Sequence, residues 1–239
     1  MSLTRRRSER GTFILEPVHY GLSVYGAPLL YFPAQIEVEN AGLIIAGTHG
    51  DETASIMALS CALRTLTKNQ QKHHIILSIN PDGNQLGTRS NANSVDLNRN
   101  FPTQNQLNED TVYRWNSTAD VRDVVIKTSN GLLEPEIDAL LRLIDELNPR
   151  FTISFHEPLA CIDDPDLSKL AYWLSNTFDL PVVEDIGYKT PGSYGTWCKE
   201  KQLPCVTVEL PPISPDEASE RYLVPLTQLL CTSTDELLR

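Results

Sequence analysis

The sequence predicts a single α/β domain whose mixed, largely parallel sheet carries helices on both faces. Two observations predict it. Short apolar runs of strand length alternate with amphipathic stretches of helical period along the chain. The length, 239 residues, suits one large domain and is short for two.

In chain order, residues 43–46 form the first apolar run and are expected as a strand. Ile56, Leu59, Leu63 and Leu66 then recur at helical steps. A second strand is expected over 75–80. Residues 81–106 are rich in Asn, Asp, Gly and Ser and read as irregular, and 107–131 as a polar loop insertion over the site. Ile137, Leu140, Leu141, Ile144 and Leu147 make a helical stripe that stops before Asn148-Pro149. Strands are expected at 151–155, 181–183 and 205–210. Between the first two, Leu167, Leu170, Leu174 and Phe178 form a helix opened by the turn Asp163-Asp164-Pro165. In such sheets ligands gather at the carboxyl ends of the strands, so chemistry is sought there.

Composition narrows the function classes. A net charge of −11 with no basic stripe argues against a nucleic-acid partner. No apolar run approaches the roughly 18 residues of a membrane span. Residues 1–11 carry Arg5, Arg6, Arg7 and Arg10 and read as a mobile basic arm, because residues 13–15 are too short for the apolar core of an export signal. Residues 12–239 are then one catalytic domain. The five cysteines are scattered without a CxxC pair, which fits buried thiols in a reducing compartment, Cys198 and Cys205 included.

Four motifs carry chemistry. In Thr48-His49-Gly50-Asp51-Glu52, His49 and Glu52 stand three apart where a strand turns into a helix, so both side chains can converge on one metal ion. The alternative is a helix N-terminus whose acids answer the macrodipole. His156 ends the strand 151–155 and supplies a third donor from a different strand end; a strand-end His can equally be structural. Arg89 and the run Asp96-Leu97-Asn98-Arg99-Asn100-Phe101-Pro102 place two guanidinium groups and an amide in a loop. Either these arginines pair with Asp82 and Asp96, or they hold a substrate carboxylate bidentately. Glu209, on the face opposite Val206 and Val208, is a strand-end carboxylate able to act as a general base.

Together the runs at 49–52, 80–83, Arg89, 96–102, 154–156 and 208–210 resemble the zinc metallocarboxypeptidases, in the correct order. Residues 187–193, with Trp197 nine positions after Tyr188, resemble the mobile tyrosine loop of that family and favour Tyr188 over Tyr194 for its role. Within the family the likeness is nearest to the murein tripeptide amidase branch, through His19-Tyr20-Gly21, Tyr113-Arg114-Trp115-Asn116-Ser117, Pro158-Leu159-Ala160-Cys161-Ile162 and Pro211-Pro212-Ile213-Ser214.

The resemblance implies one Zn²⁺ per chain, held by His49, Glu52 and His156, with Glu209 as base and Arg89 stabilising the oxyanion. Asn98 and Arg99 dock the α-carboxylate of the leaving residue, and Tyr188 closes over it. Gly195 leaves room at the pocket floor for a long polar side chain. Glu157 either meets a distant ammonium or serves structurally beside His156. The implied partner is a small peptide, the murein tripeptide L-Ala-γ-D-Glu-meso-diaminopimelate, cut at its γ-D-glutamyl bond by a cytoplasmic monomer or homodimer without a leader or long pro-segment. A second resemblance is to zinc amidohydrolases of the aspartoacylase and succinylglutamate desuccinylase type; Asn100-Phe101-Pro102, the Tyr188 loop and Val208-Glu209-Leu210 favour the peptidase. A zinc-binding regulator on a dead scaffold would have lost a ligand or a base, and every role is filled here.

Overall fold

A computed structural model describes residues 16–116 and 121–239; the basic arm at 1–11 and Ser117 lie outside them. The core is a six-stranded sheet built from β3 (Leu43–Ile45), β4 (His74–Ile76), β7 (Thr152–His156), β8 (Cys161–Asp163), β9 (Val182–Val183) and β10 (Cys205–Glu209), in the spatial order β4-β3-β7-β10-β8-β9. Only the β10–β8 pairing is antiparallel, so the sheet is mixed and mostly parallel, as its apolar runs predict.

Strand alternation divides the core. Ile44, Ile153, Phe155, Val206 and Val208 face a layer of α1 (Thr53–Leu63), α4 (Lys169–Phe178), α6 (Pro215–Cys231) and α7 (Thr234–Leu237). Leu43, Ile45 and Ile76 face α3 (Pro135–Leu147) and α5 (Tyr194–Glu200). Helix α1 lies against α6, and its Ala54, Ala58 and Ala62 are buried in the core layer that the two helices share. The predicted stripe of α1 runs past its end, since Leu66 is buried beyond the last helical residue.

Several expectations are corrected. Residues 77–80 leave the sheet, because Asn80 caps a new helix: its side chain accepts from Gly83 N–H, and Pro81 opens α2 (Pro81–Leu86). Within the stretch 107–131, expected as a loop, β5 (Asp110–Asn116) pairs with β6 (Val121–Lys127) as an antiparallel ribbon. Val112, Val124 and Val125 are exposed on it, so it buries too little to show an apolar period. A second ribbon, β1 (Val18–Leu22) with β2 (Pro28–Tyr31), packs at the edge against α3.

Candidate active site

The carboxyl ends of β3, β7 and β10 converge. His49 and Glu52 lie in the turn from β3 into α1, His156 closes β7, and Glu209 closes β10 directly beside His156 in the parallel register. That turn needs glycine: a Cβ on Gly50 would stand 2.1 Å from the backbone carbon of Gly83.

His49 Nδ1 lies 2.6 Å from Glu52 Oε1, His156 Nδ1 lies 2.9 Å from Glu52 Oε2, and the two Nδ1 atoms are 3.2 Å apart. All three residues are buried, and their candidate donor atoms fall within 4.8 Å of one another. On its far side His49 Nε2 approaches Asp96 Oδ1 at 3.1 Å. With Asp96 accepting the Nε2 proton, Nδ1 is the nitrogen left to face an ion, which is the usual outer support of a metal-binding histidine.

The electrostatics ask for a cation at this point. Burial opposes ionisation of Glu52, yet the two imidazoles hold its carboxyl far below the ordinary carboxylate range. Burial and Arg89 oppose a charge on His49, yet Glu52 and Asp96 lift it to about 9. Two nitrogens and one carboxylate gathered in this way suit zinc, whose catalytic sites use three protein ligands and one open position.

Asp96, expected from sequence only as an arginine partner, is a hub. Its carboxylate accepts from Arg89 Nε at 3.0 Å, from the His49 imidazole and from Asn98 N–H at 2.9 Å. Arg89 also reaches Glu52 Oε1 at 3.4 Å. Of the two acids considered as arginine partners, Asp96 is engaged, whereas Asp82 accepts from Ser23 Oγ and Tyr25 N–H instead. The ribbon β5–β6 reaches the same place: Tyr113 Oη donates to the Asp51 carboxylate, and the Arg89 guanidinium lies 5.6 Å from the Tyr113 ring centre. Neither Tyr113 nor Asp51 was singled out for chemistry, since their meeting depends on a long-range contact.

A cavity of about 660 Å³ opens beside these groups and is lined by every residue predicted for the site. Asn98 and Arg99 sit in a tight turn, where Asn98 Oδ1 accepts from Tyr194 N–H at 2.9 Å and Arg99 Nη1 donates to the Asn98 carbonyl at 2.7 Å. The backbone of Gly192, at φ +71°, presses on this turn so closely that a Cβ there would meet the Arg99 carbonyl oxygen at 2.2 Å. Tyr188 stands on the same loop and is half-exposed, while Tyr194 is buried against Phe101 and Trp197. At Gly195 a Cβ would meet nothing within 4 Å.

Burial pushes the Glu209 carboxyl above the ordinary range, and the charge of Glu52 adds to this, against the pull of His156 and His49. Glu157 turns its Oε1 to Ser55 N–H at the start of α1, 2.9 Å away. Burial, with Glu52 nearby, raises its carboxyl to about 7. Because that value exceeds the unfolded one, the folded state is favoured by protonation and loses stability as pH climbs through about 7. Glu157→Gln keeps an acceptor for Ser55 and removes the charge. In zinc-free protein it is therefore expected to stabilise the fold at pH 8 by about 1–3 kcal/mol and near pH 4 not at all. Thermal unfolding at the two pH values checks this, and an equal effect at both would refute it.

Comparison with known proteins agrees with this geometry. The family model described as zinc carboxypeptidase matches residues 5–159. The murein peptide amidase A of Vibrio campbellii is 61% identical over 225 residues, 94% of this chain and 91% of that protein. Its Escherichia coli K12 counterpart is 55% identical over 231 residues, 96% of each. The crystal structure of the murein-tripeptide amidase of Escherichia coli O157 superimposes with a TM-score of 0.88, at 55% identity, over 97% of this chain and 98% of that one. Carboxypeptidase A of Helicoverpa armigera shares only the fold, with a TM-score of 0.67 at 15% identity over 91% of this chain and 67% of that one. With its matched motifs gathered around one cavity and its relatives aligned almost end to end, the chain belongs to the zinc carboxypeptidase family.

Proposed function

We propose that this protein is a zinc-dependent amidase that cuts the γ-D-glutamyl–meso-diaminopimelate bond of murein tripeptide, in the cytoplasm, during peptidoglycan recycling. The observation that carries the reading is the single cavity in which the metal-binding triad, Glu209, Arg89 and the Asn98–Arg99 turn all meet. The names of the relatives that align over nearly the whole chain supply the substrate. Among the described residues no helix is long and apolar enough to cross a membrane.

His49, Glu52 and His156 would hold the ion. Zinc, when bound, supplies Lewis-acid character and draws the pKa of a water toward neutrality. Glu209 would take a proton from the water that attacks the amide carbonyl and return it to the leaving amine as the C–N bond breaks, a double duty suited to a carboxyl raised by burial. Arg89, fixed by Asp96, donates to the carbonyl oxygen as negative charge develops there. Asn98 and Arg99 grip the α-carboxylate beside the cut bond, which stays free in the tripeptide. Tyr188 folds over the bound peptide and excludes water.

A mass-spectrometric assay tests the reading by offering murein tripeptide, an N-acylaspartate and succinylglutamate to the purified protein. Release of diaminopimelate from the tripeptide is expected, with the other two compounds untouched. Preferential turnover of either small acyl amino acid would transfer the chain to the rival amidohydrolase reading.

A further inference from the structure

The pocket below the catalytic groups has a floor that no role described so far uses. In the registers of β7, β10 and β8, Ser154 pairs with Thr207 and Thr207 with Asp163. These three residues form one row across three neighbouring strands, and all three line the cavity. The next row toward the carboxyl ends of β7 and β10 is His156, Glu209 and Cys161, which brings a residue of the triad and the base together. Side chains two apart on a strand share a face, so the two rows are stacked with a step of about 7 Å between them.

The floor is unusual in its chemistry. The opposite face of the same strands presents Phe155, Val208 and Ile162 to the apolar core. Ser154 is 2% exposed, and its Oγ has no hydrogen-bond partner among the described residues. A buried hydroxyl without a partner costs stability unless something fills its need. Asp163 is a half-buried carboxylate whose charge is opposed first by burial and then by Glu209. Both features favour a ligand that brings positive charge and acceptors to this depth. The missing side chain of Gly195 keeps the approach open, and Glu157, the acid next to His156 in sequence, is taken up by Ser55.

Resting on the amidase reading above, we infer that Asp163, Thr207 and Ser154 form the subsite for the zwitterionic end of the leaving residue. Asp163 receives the distal ammonium, and the Thr207 and Ser154 hydroxyls donate to the distal carboxylate. Adjacent positions in a cross-strand row lie about 5 Å apart, so an amine and a carboxylate on one carbon can be met by neighbouring members. The three-methylene spacer of diaminopimelate, extended, covers a distance similar to the step between rows. The α-carbon is thereby left level with Glu209 and the distal centre level with Asp163.

The test compares kcat/KM on three tripeptides that end in diaminopimelate, in lysine (no distal carboxylate) or in 2-aminopimelate (no distal ammonium). Wild type, Asp163→Asn and Thr207→Val are assayed on each. Asp163→Asn is expected to lower the diaminopimelate-to-aminopimelate ratio roughly 10- to 100-fold, and Thr207→Val to lower the diaminopimelate-to-lysine ratio by about 10-fold. These ratios do not depend on how much of a variant is folded. If both variants leave the ratios of wild type unchanged, the subsite is refuted while the amidase reading stands. A wild type that cuts none of the three peptides overturns the amidase reading itself.

Discussion

Replacing Glu209 by Gln is expected to leave zinc content and KM close to wild type while kcat falls by about 10²–10⁴-fold or more. Glutamine fills the same space at the end of β10 and can still accept from Leu159 N–H, which approaches Glu209 Oε2 at 3.5 Å. It cannot take a proton. The wild-type pH profile should carry the same signature. The base must be ionised, and burial holds its carboxyl above the ordinary range, so kcat/KM is lost as pH falls through that raised value. Steady-state kinetics with elemental analysis check both points. Activity near wild type would reassign the base, and Glu157 is the next candidate.

Removing zinc by chelation is expected to abolish turnover and also to lower the melting temperature. Glu52 and His156 are 104 positions apart in sequence, so the unfolded chain offers no assembled site and the ion stabilises the folded state alone. At free zinc 100 times its dissociation constant the gain is about 2.7 kcal/mol. For a domain of this size that corresponds to roughly 5–10 °C. His156→Ala should remove most of the zinc-dependent shift. Acid should weaken the ion's hold, because His49, raised to about 9, keeps its proton more firmly than a free imidazole. Full activity in protein proven metal-free would remove zinc from the reaction.

The sheet and three of its helices were legible because each buries a regular face. Residues 43–46 are a continuous apolar run, as a strand covered on both sides must be, residues 151–155 alternate Phe, Ile and Phe with Thr and Ser, and Ile137, Leu140 and Ile144 keep the helical step. The ribbons were not legible, since exposed strands with polar neighbours leave no period. Helix α6 was missed although Ser214 caps it and Pro215, Asp216 and Glu217 open it, because Pro225 inside breaks the pattern. The site divides in the same way. His49, Glu52, His156 and Glu209 stand at strand ends that the apolar runs locate. Asp96, Tyr113 and the row Ser154–Thr207–Asp163 acquire meaning only from register and from contacts between distant segments.

The place of β7 in the sheet has a consequence for the order of events in synthesis. It lies between β3, which precedes the first two metal-binding residues, and β10, which ends in the base. A ribosome releases His49 and Glu52 early, but the third donor arrives only with β7, and β7 gains its second neighbour only when β10 has been made. Parallel strands joined by long crossovers pair late, because chain entropy must be overcome before their contacts form. Two of the three donors therefore wait on the nascent chain for the third, and the strand that carries it is paired on both sides only after residue 209 has been made.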